Sequence, residues 1–234
     1  MAWTWTPTRR GEPELMDAPG LPEAEVEDAY RVLRRVNRQL GNLRAIRAEF
    51  RRFLREDVPD SPGFSTLDVG SGSGDIPEAL RELAPAGSAR LLALDRDPTA
   101  VAAARRLSPD VVQGDALRLP FADRSIDLVT AVKFAHHFHG PALDSLLAEM
   151  ARVARRRVVV LDIRRHRLAY WGFRAWSLAF TRNRLVRHDG PLSVLRGFTR
   201  AELLAAVAPV PGYSWEVRPY LGFQLALVGR RIVP

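Results

Sequence analysis

The segment LDVGSGSGDIPEAL, Leu67 to Leu80, decides the fold. An apolar run ends at Asp68 and Val69, three glycines follow at Gly70, Gly72 and Gly74, and a helical pattern, DIPEALREL, begins at Asp75. Pro77 is tolerated in the first turn of such a helix. Glycines between a strand and a helix let a ligand approach the backbone, and the helix start supplies free N–H groups. The dinucleotide fingerprint is G-x-G-x-x-G. Here the spacing is G-x-G-x-G, and Asp75 stands where the third dinucleotide glycine belongs. A carboxylate there would face a pyrophosphate. The spacing therefore suits a ligand without phosphates.

Outward from this segment, strands and helices alternate. The strands read as FSTLDVG, ARLLALD, DVVQGD, SIDLVTAV and RRVVVLDI, and the helices between them as DIPEALREL, PTAVAAARRL and PALDSLLAEMARV. Repeats of this kind build a parallel sheet covered on both faces, with right-handed connections. TRAELLAAV is a further helix, with Thr199 and Glu202 spaced as a capping box. YSWEVRPY and GFQLALVGR then read as an antiparallel strand pair. The expected fold class is α/β, a three-layer αβα sandwich.

The rest of the chain divides around this core. Residues 1–20 are rich in Pro, Gly and polar residues and are expected to be poorly ordered. Residues 21–60 form an N-terminal helical cap, two amphipathic helices broken at Gly41 and Asn42 and followed by the linker DVPDSPG. Residues 61–165 are the core, 166–198 a helical lid insertion, and 199–234 the last helix and strand pair of one domain.

Bulk properties narrow the class. The chain has 234 residues, 47% of them hydrophobic, and no cysteine. That is a globular composition without disulfides or thiolate chemistry. No apolar run is long enough to span a bilayer, and the N-terminus has no stretch fit for a secretory signal, so a cytoplasmic address without stable membrane insertion is expected. The formal charge is +8. The basic residues are almost all arginine, with Lys133 the single lysine, and they are scattered among acids along the whole chain. A nucleic-acid footprint should be clustered. The run ARRRVVVLDIRRHR, Ala154 to Arg167, keeps RNA as the lesser alternative.

Three carboxylates fall in register with the glycines. Asp68, at the end of the first strand, suits an ammonium. Asp95, with Arg96 after it, ends the second strand where an acid can take both ribose hydroxyls. Asp115, in QGDALRLPF, is placed to meet an adenine amino group. Each alone is commonplace, but the set is specific. It resembles the S-adenosylmethionine-dependent methyltransferases of the seven-stranded Rossmann-like class, from Phe64 to about Ile163. The resemblance implies strand order 3-2-1-4-5-7-6 with strand 7 antiparallel. It implies that Gly70, Ser71 and Gly72 line the methionine part of S-adenosylmethionine, with Gly74 and Asp75 completing the loop. Asp95 would hold the ribose, Asp115 and Ala116 would flank the adenine, and the backbone near Val132 would meet the ammonium. S-adenosylhomocysteine would be the product.

The segment after the fourth strand, AVKFAHHFHG, lies on the acceptor side. It has no N/D-P-P-Y/F motif of the kind that serves base or amide nitrogen acceptors. It offers His136, His137 and His139, and His136 or His137 is the expected base for a phenol or alcohol. Alternation points these two to opposite sides. No carboxylate in the same loop completes a metal set, so no metal is expected. Lys133 is counted as an acceptor contact.

In the lid, Tyr170, Trp171, Phe173, Trp176 and Phe180 crowd one stretch, and Phe173, Trp176 and Phe180 share a helical face. Such a stripe is often plain core, but over the sheet's C-terminal edge it can roof an apolar pocket. TRNRLVRHDGPLSVLRGFT and LMDAPGLPEAEVEDAYRVLRRVNRQLG resemble bacterial small-molecule methyltransferases that accompany type III polyketide synthases. That likeness implies Asn37, His188, Asp189 and Arg196 as lid or pocket residues, and Tyr170 and Trp171 of the aromatic stretch are counted with them as acceptor contacts. His188 and Asp189 also suit a turn before Gly190–Pro191. The expected reaction is SN2 O-methylation of a small hydrophobic phenolic acceptor by a monomer or homodimer, with C-methylation of a quinol or aromatic ring as the alternative.

Overall fold

The structure, a computed structural model, describes residues 5–18, 20–108 and 110–232. Its centre is a seven-stranded sheet in the order β3-β2-β1-β4-β5-β7-β6. The strands are β1 (Phe64–Val69), β2 (Ala89–Asp95), β3 (Val111–Gln113), β4 (Ile126–Val132), β5 (Ala154–Ile163), β6 (Tyr213–Tyr220) and β7 (Gln224–Arg231). β7 runs antiparallel to β5 and β6, and the other pairings are parallel, as the sequence predicts.

The helices are α1 (Glu23–Gln39), α2 (Asn42–Glu56), α3 (Asp75–Arg81), α4 (Pro98–Arg105), α5 (Pro141–Val153), α6 (Arg167–Phe180), α7 (Arg184–Arg196) and α8 (Arg200–Val207). Strand alternation divides the core into two layers. Val129 and Ala131 of β4 face Leu146, Met150 and Leu203 on α5 and α8. Leu128 and Val132 face Ile46, Phe50 and Phe53 of α2 and Leu80 of α3. Fully buried side chains such as Phe50 and Phe53 contribute about 1.5–3 kcal/mol each. Local signals agree with this frame. Asp97 caps α4 ahead of Pro98, and Thr199 and Glu202 form the capping box of α8.

Over the C-terminal ends of the parallel strands, α1, α6 and α7 build a roof with its own small core, including Val26, Val32, Leu185 and Val186. Here two expectations are corrected. His188 and Asp189 are not in a turn, because α7 continues through Gly190 and Pro191. The reason is packing. A Cβ on Gly190 would lie 1.9 Å from a Phe173 ring atom, so the glycine lets α6 close on α7.

The second correction concerns the N-terminus. Residues 5–18 form a strap along the roof rather than a loose tail. Arg9 donates to the carbonyls of Arg196 and Phe138, at 2.8 and 3.0 Å. The two Asp189 oxygens accept from the backbone N–H groups of Leu15 and Met16, at 2.8 and 2.9 Å. The strap drops Glu14 into the interior, 7% exposed. No helix among the described residues is long and apolar enough to cross a membrane.

Candidate active site

A cavity of about 1200 Å³ opens between the strand ends and the roof. Single-ligand sites commonly occupy about 300–1,000 Å³, so this space suits two molecules side by side.

One end is built by the turn after β1. Gly70 and Gly72 adopt φ of 68° and 52°, in the left-handed region. A Cβ on Gly70 would fall 2.1 Å from the Phe134 ring. Asp95 is aimed by two backbone donors, since its oxygens accept from Gly72 N–H at 2.9 Å and Asp97 N–H at 3.0 Å. Burial pushes its pKa up. Asp68 accepts from the Thr130 hydroxyl at 2.7 Å, and burial pushes it up to about 8. Among the described residues neither carboxylate has a cationic partner, as expected where a ligand supplies the positive charge.

Asp68, Gly70, Ser71, Gly72, Asp75, Asp95, Arg96, Asp115, Ala116 and Val132 all line this cavity. Gly74 does not. Its Cβ would sit 3.1 Å from that of Ala104, so it serves the contact between the loop and α4. Asn37 also lines the space, but its amide donates to Asp75 at 2.8 Å, which places it beside the glycine loop.

The other end is apolar where the roof closes it, with Met16, Leu21, Leu168, Phe173, Trp176 and Val194 in the wall. Tyr170 and Trp171 do not line it, and Trp171 is 60% exposed. The helix turns its Leu168, Ala169, Gly172, Phe173 and Trp176 side inward instead. His188 faces outward, while Asp189 and Arg196 act from behind the wall. Asp189 holds the strap, and the Arg196 guanidinium donates to the carbonyls of His136, His137 and Glu12. Of the residues expected in the lid or pocket, Tyr170, Trp171, His188, Asp189 and Arg196 thus lie outside the cavity wall.

Between the two ends stand Lys133, His136 and His137, all in the cavity wall. Lys133 adopts φ of 56°, and burial draws its pKa down to about 8 against the attraction of Asp162. His136 is nearly enclosed. Asp162, at the end of β5, accepts from its backbone N–H at 3.0 Å and lies 2.8 Å from its Nδ1. Its Nε2 lies 3.5 Å from Glu14 Oε1. Burial alone would lower the His136 pKa, but Asp162 and Glu14 push it up. With both ring nitrogens facing carboxylates, His136 is poorly placed to accept a proton from a substrate. His137 is freer, 23% exposed, with Nδ1 3.2 Å from Asp17 and Nε2 3.8 Å from Glu14.

Glu14, Asp17 and Asp162 were not singled out from the sequence. Asp162 ends an apolar strand at the site edge, as Asp68 and Asp95 do, and that position was a usable signal. Glu14 and Asp17 carried none, because they reach the site only through the strap.

Comparisons with known proteins agree with this layout. Residues 67–161 match a family model described as a methyltransferase domain. Over 108 residues the chain is 36% identical to a demethylmenaquinone methyltransferase of Renibacterium salmoninarum, covering 45% of this chain and 43% of that protein. It is also 36% identical over 109 residues to a ubiquinone/menaquinone biosynthesis C-methyltransferase of Burkholderia vietnamiensis, covering 43% and 44%. The chain thus spans less than half the length of the curated relatives it matches. A SAM-dependent methyltransferase from Aquifex aeolicus superposes with a TM-score of 0.61 at 15% identity, covering 91% of this chain and all of that one. That likeness extends to the strand order and the antiparallel β7.

Proposed function

We propose that this protein transfers a methyl group from S-adenosylmethionine to a hydrophobic hydroxyaromatic small molecule. The observation that carries the reading is the continuity of the cavity, with a glycine loop and buried carboxylates at one end and an apolar chamber at the other. When bound, S-adenosylmethionine supplies a methyl group activated by its sulfonium charge, and S-adenosylhomocysteine is left behind.

The chain's own residues divide the remaining work. Asp68 attracts the ammonium, and Asp95, fixed by the N–H groups of Gly72 and Asp97, offers its free lone pairs to the ribose hydroxyls. Asp115 and Ala116 flank the base. Phe173 and Trp176 hold the acceptor ring and exclude water. Lys133 faces the developing phenolate, and the corner made by His137 and Glu14 draws off the hydroxyl proton. Alignment of two bound reactants supplies the largest share, about 7–11 kcal/mol in the most favourable cases.

The acceptor oxygen is the leading methylation site, and phenols of the type III polyketide kind are the first chemistry to test. Methylation of a ring carbon in a quinol is the second reading, favoured by the names of the curated relatives. Nucleic acid is disfavoured because the first three arginines of the run Ala154 to Arg167 are already engaged. Arg155 and Arg156 pair with Asp127, and Arg157 with Glu56 and Asp57. Proton and carbon NMR of the product from methyl-labelled donor separates the readings. An aryl methyl ether supports oxygen, a ring methyl supports carbon, and label in RNA alone rejects both.

A further inference from the structure

We propose that Glu14, His136 and His137 form a binding site for a divalent transition-metal ion at the acceptor end of the cavity. Each of the three offers one ligand atom, and these atoms all lie within 4.8 Å of one another. The Glu14 oxygens stand 3.5 Å from His136 Nε2 and 3.8 Å from His137 Nε2. In a tetrahedral site with bonds of about 2.1 Å, neighbouring ligand atoms are separated by about 3.4 Å. The two contacts, one to each oxygen of Glu14, are within a few tenths of an ångström of that spacing.

The groups behind the three ligands point the same way. His136 Nδ1 lies 2.8 Å from Asp162, and His137 Nδ1 lies 3.2 Å from Asp17. A metal-bound histidine characteristically gives its other ring N–H to a carboxylate, which directs the opposite lone pair at the ion. Both histidines here have that partner, and both turn Nε2 toward Glu14. Glu14 is itself held, because Ser193 donates to its Oε1 at 2.7 Å. Arg196 is the competing cation, 3.9 Å from Glu14, but its hydrogen bonds go to the carbonyls of Glu12, His136 and His137. It lies behind the turn and not in the cavity wall.

The carboxylate absent from the histidine loop is therefore supplied by the strap. Two imidazoles and one carboxylate suit Zn²⁺, Fe²⁺, Co²⁺ or Ni²⁺ better than Mg²⁺ or Ca²⁺, which prefer oxygen. Three protein ligands in a cavity wall leave a position open, as in metal sites that take a substrate. Resting on the methyltransferase reading, the occupant of that position is the acceptor hydroxyl. Its oxygen binds the ion, its proton passes to solvent, and the resulting phenolate takes the methyl group from the sulfonium. The ion then does by coordination what the His137–Glu14 corner would otherwise do by proton transfer.

The test uses the full, tag-free chain, stripped with EDTA and dialysed. Co²⁺ is titrated in while its visible absorption is followed, with Zn²⁺ as competitor. Binding of S-adenosylmethionine is measured by calorimetry on the same metal-free preparation. We expect one Co²⁺ per chain, displaced by Zn²⁺, with affinity at least about tenfold weaker in His137→Ala and in Glu14→Gln and unchanged in His188→Ala. Absence of a Co²⁺ band, or equal affinity in wild type and both ligand variants, overturns the proposal and leaves the cluster an ion-paired anchor for the strap. Donor binding without Co²⁺ binding rejects the metal site alone, and Co²⁺ binding without donor binding rejects the methyltransferase reading alone.

Discussion

Glu14, from the N-terminal strap, stands with Oε1 3.5 Å from Nε2 of His136, in the loop after β4. The contact joins the part of the chain that looks least structured to the turn that carries the acceptor chemistry. Strap and site are therefore one unit, and disturbing the first should disturb the second.

Asp189 is the clasp of that unit. Replacing it with alanine removes two charge-assisted hydrogen bonds to Leu15 and Met16, each worth about 1.5–3 kcal/mol. We expect the amides of Leu15 and Met16 to lose hydrogen-exchange protection in Asp189→Ala, while β1, β4 and β5 keep theirs. Methyl transfer should fall with the strap's protection. Unchanged protection at residues 15 and 16 would contradict the clasp.

The glycine loop tolerates no side chain at its first glycine. Gly70→Ala forces an alanine to φ of 68° and drives its Cβ against Phe134. The backbone strain alone costs about 1–3 kcal/mol. A folded variant with donor affinity reduced at least about tenfold, equivalent to about 1.4 kcal/mol, is expected by calorimetry. Wild-type affinity would show that Phe134 simply moves aside and that the loop does not touch the donor.

Asp68 predicts a pH dependence with a definite sign. Its carboxyl is held at about 8 in the folded protein by burial, against about 3.9 in an unfolded chain. The folded state thus binds the proton more tightly. The associated stability is complete below about pH 4 and is lost as pH rises toward about 8. Ligand-free Asp68→Asn, which stays neutral, should lose this part of the decline. Melting curves between about pH 5 and about pH 8 should show a gap in favour of the asparagine that widens with pH. A constant gap would contradict the assignment.

Away from the site, Arg157 is fully buried beside Glu56 and Asp57, at 3.0 and 2.6 Å. Arg157→Ala leaves Asp57 without its paired cation, while Glu56 keeps Arg55 and Arg230, and should cost about 3 kcal/mol. For a chain of this size that is about 6–12 °C in melting temperature. Donor affinity should be unchanged, because the pair lies outside the cavity wall. A melting temperature within error of wild type would show that the Asp57 carboxylate is readily rehydrated.

What could be read from the sequence was whatever depends on neighbours. The runs of β1 and β4 are apolar because parallel strands are buried on both faces, and the Asp68–Gly70–Gly72 turn is local in the chain. Both were legible for that reason. The acceptor end is assembled from distant pieces. Asp17 meets His137 across 120 residues, and Asp189 meets Leu15 across 174. No periodicity records such contacts. The aromatic stripe of α6 shows the intermediate case. Its helical spacing was plain, but the choice of Tyr170 and Trp171 over Leu168 and Ala169 is a question of helix rotation. That rotation is decided by Phe173 closing on Gly190, a contact with another helix.

The proposed function places a methyl donor and a hydroxyaromatic acceptor at the two ends of one cavity. It is tested most directly by incubating the protein with methyl-labelled S-adenosylmethionine and a panel of alkylresorcinols, other phenols and hydroxyquinols, then extracting into organic solvent. Label is expected in an extractable aromatic product, and is expected to be lost when Asp95 is replaced by alanine. Tight donor binding with no label in any member of the panel would contradict the acceptor assignment, and absence of donor binding would contradict the account as a whole.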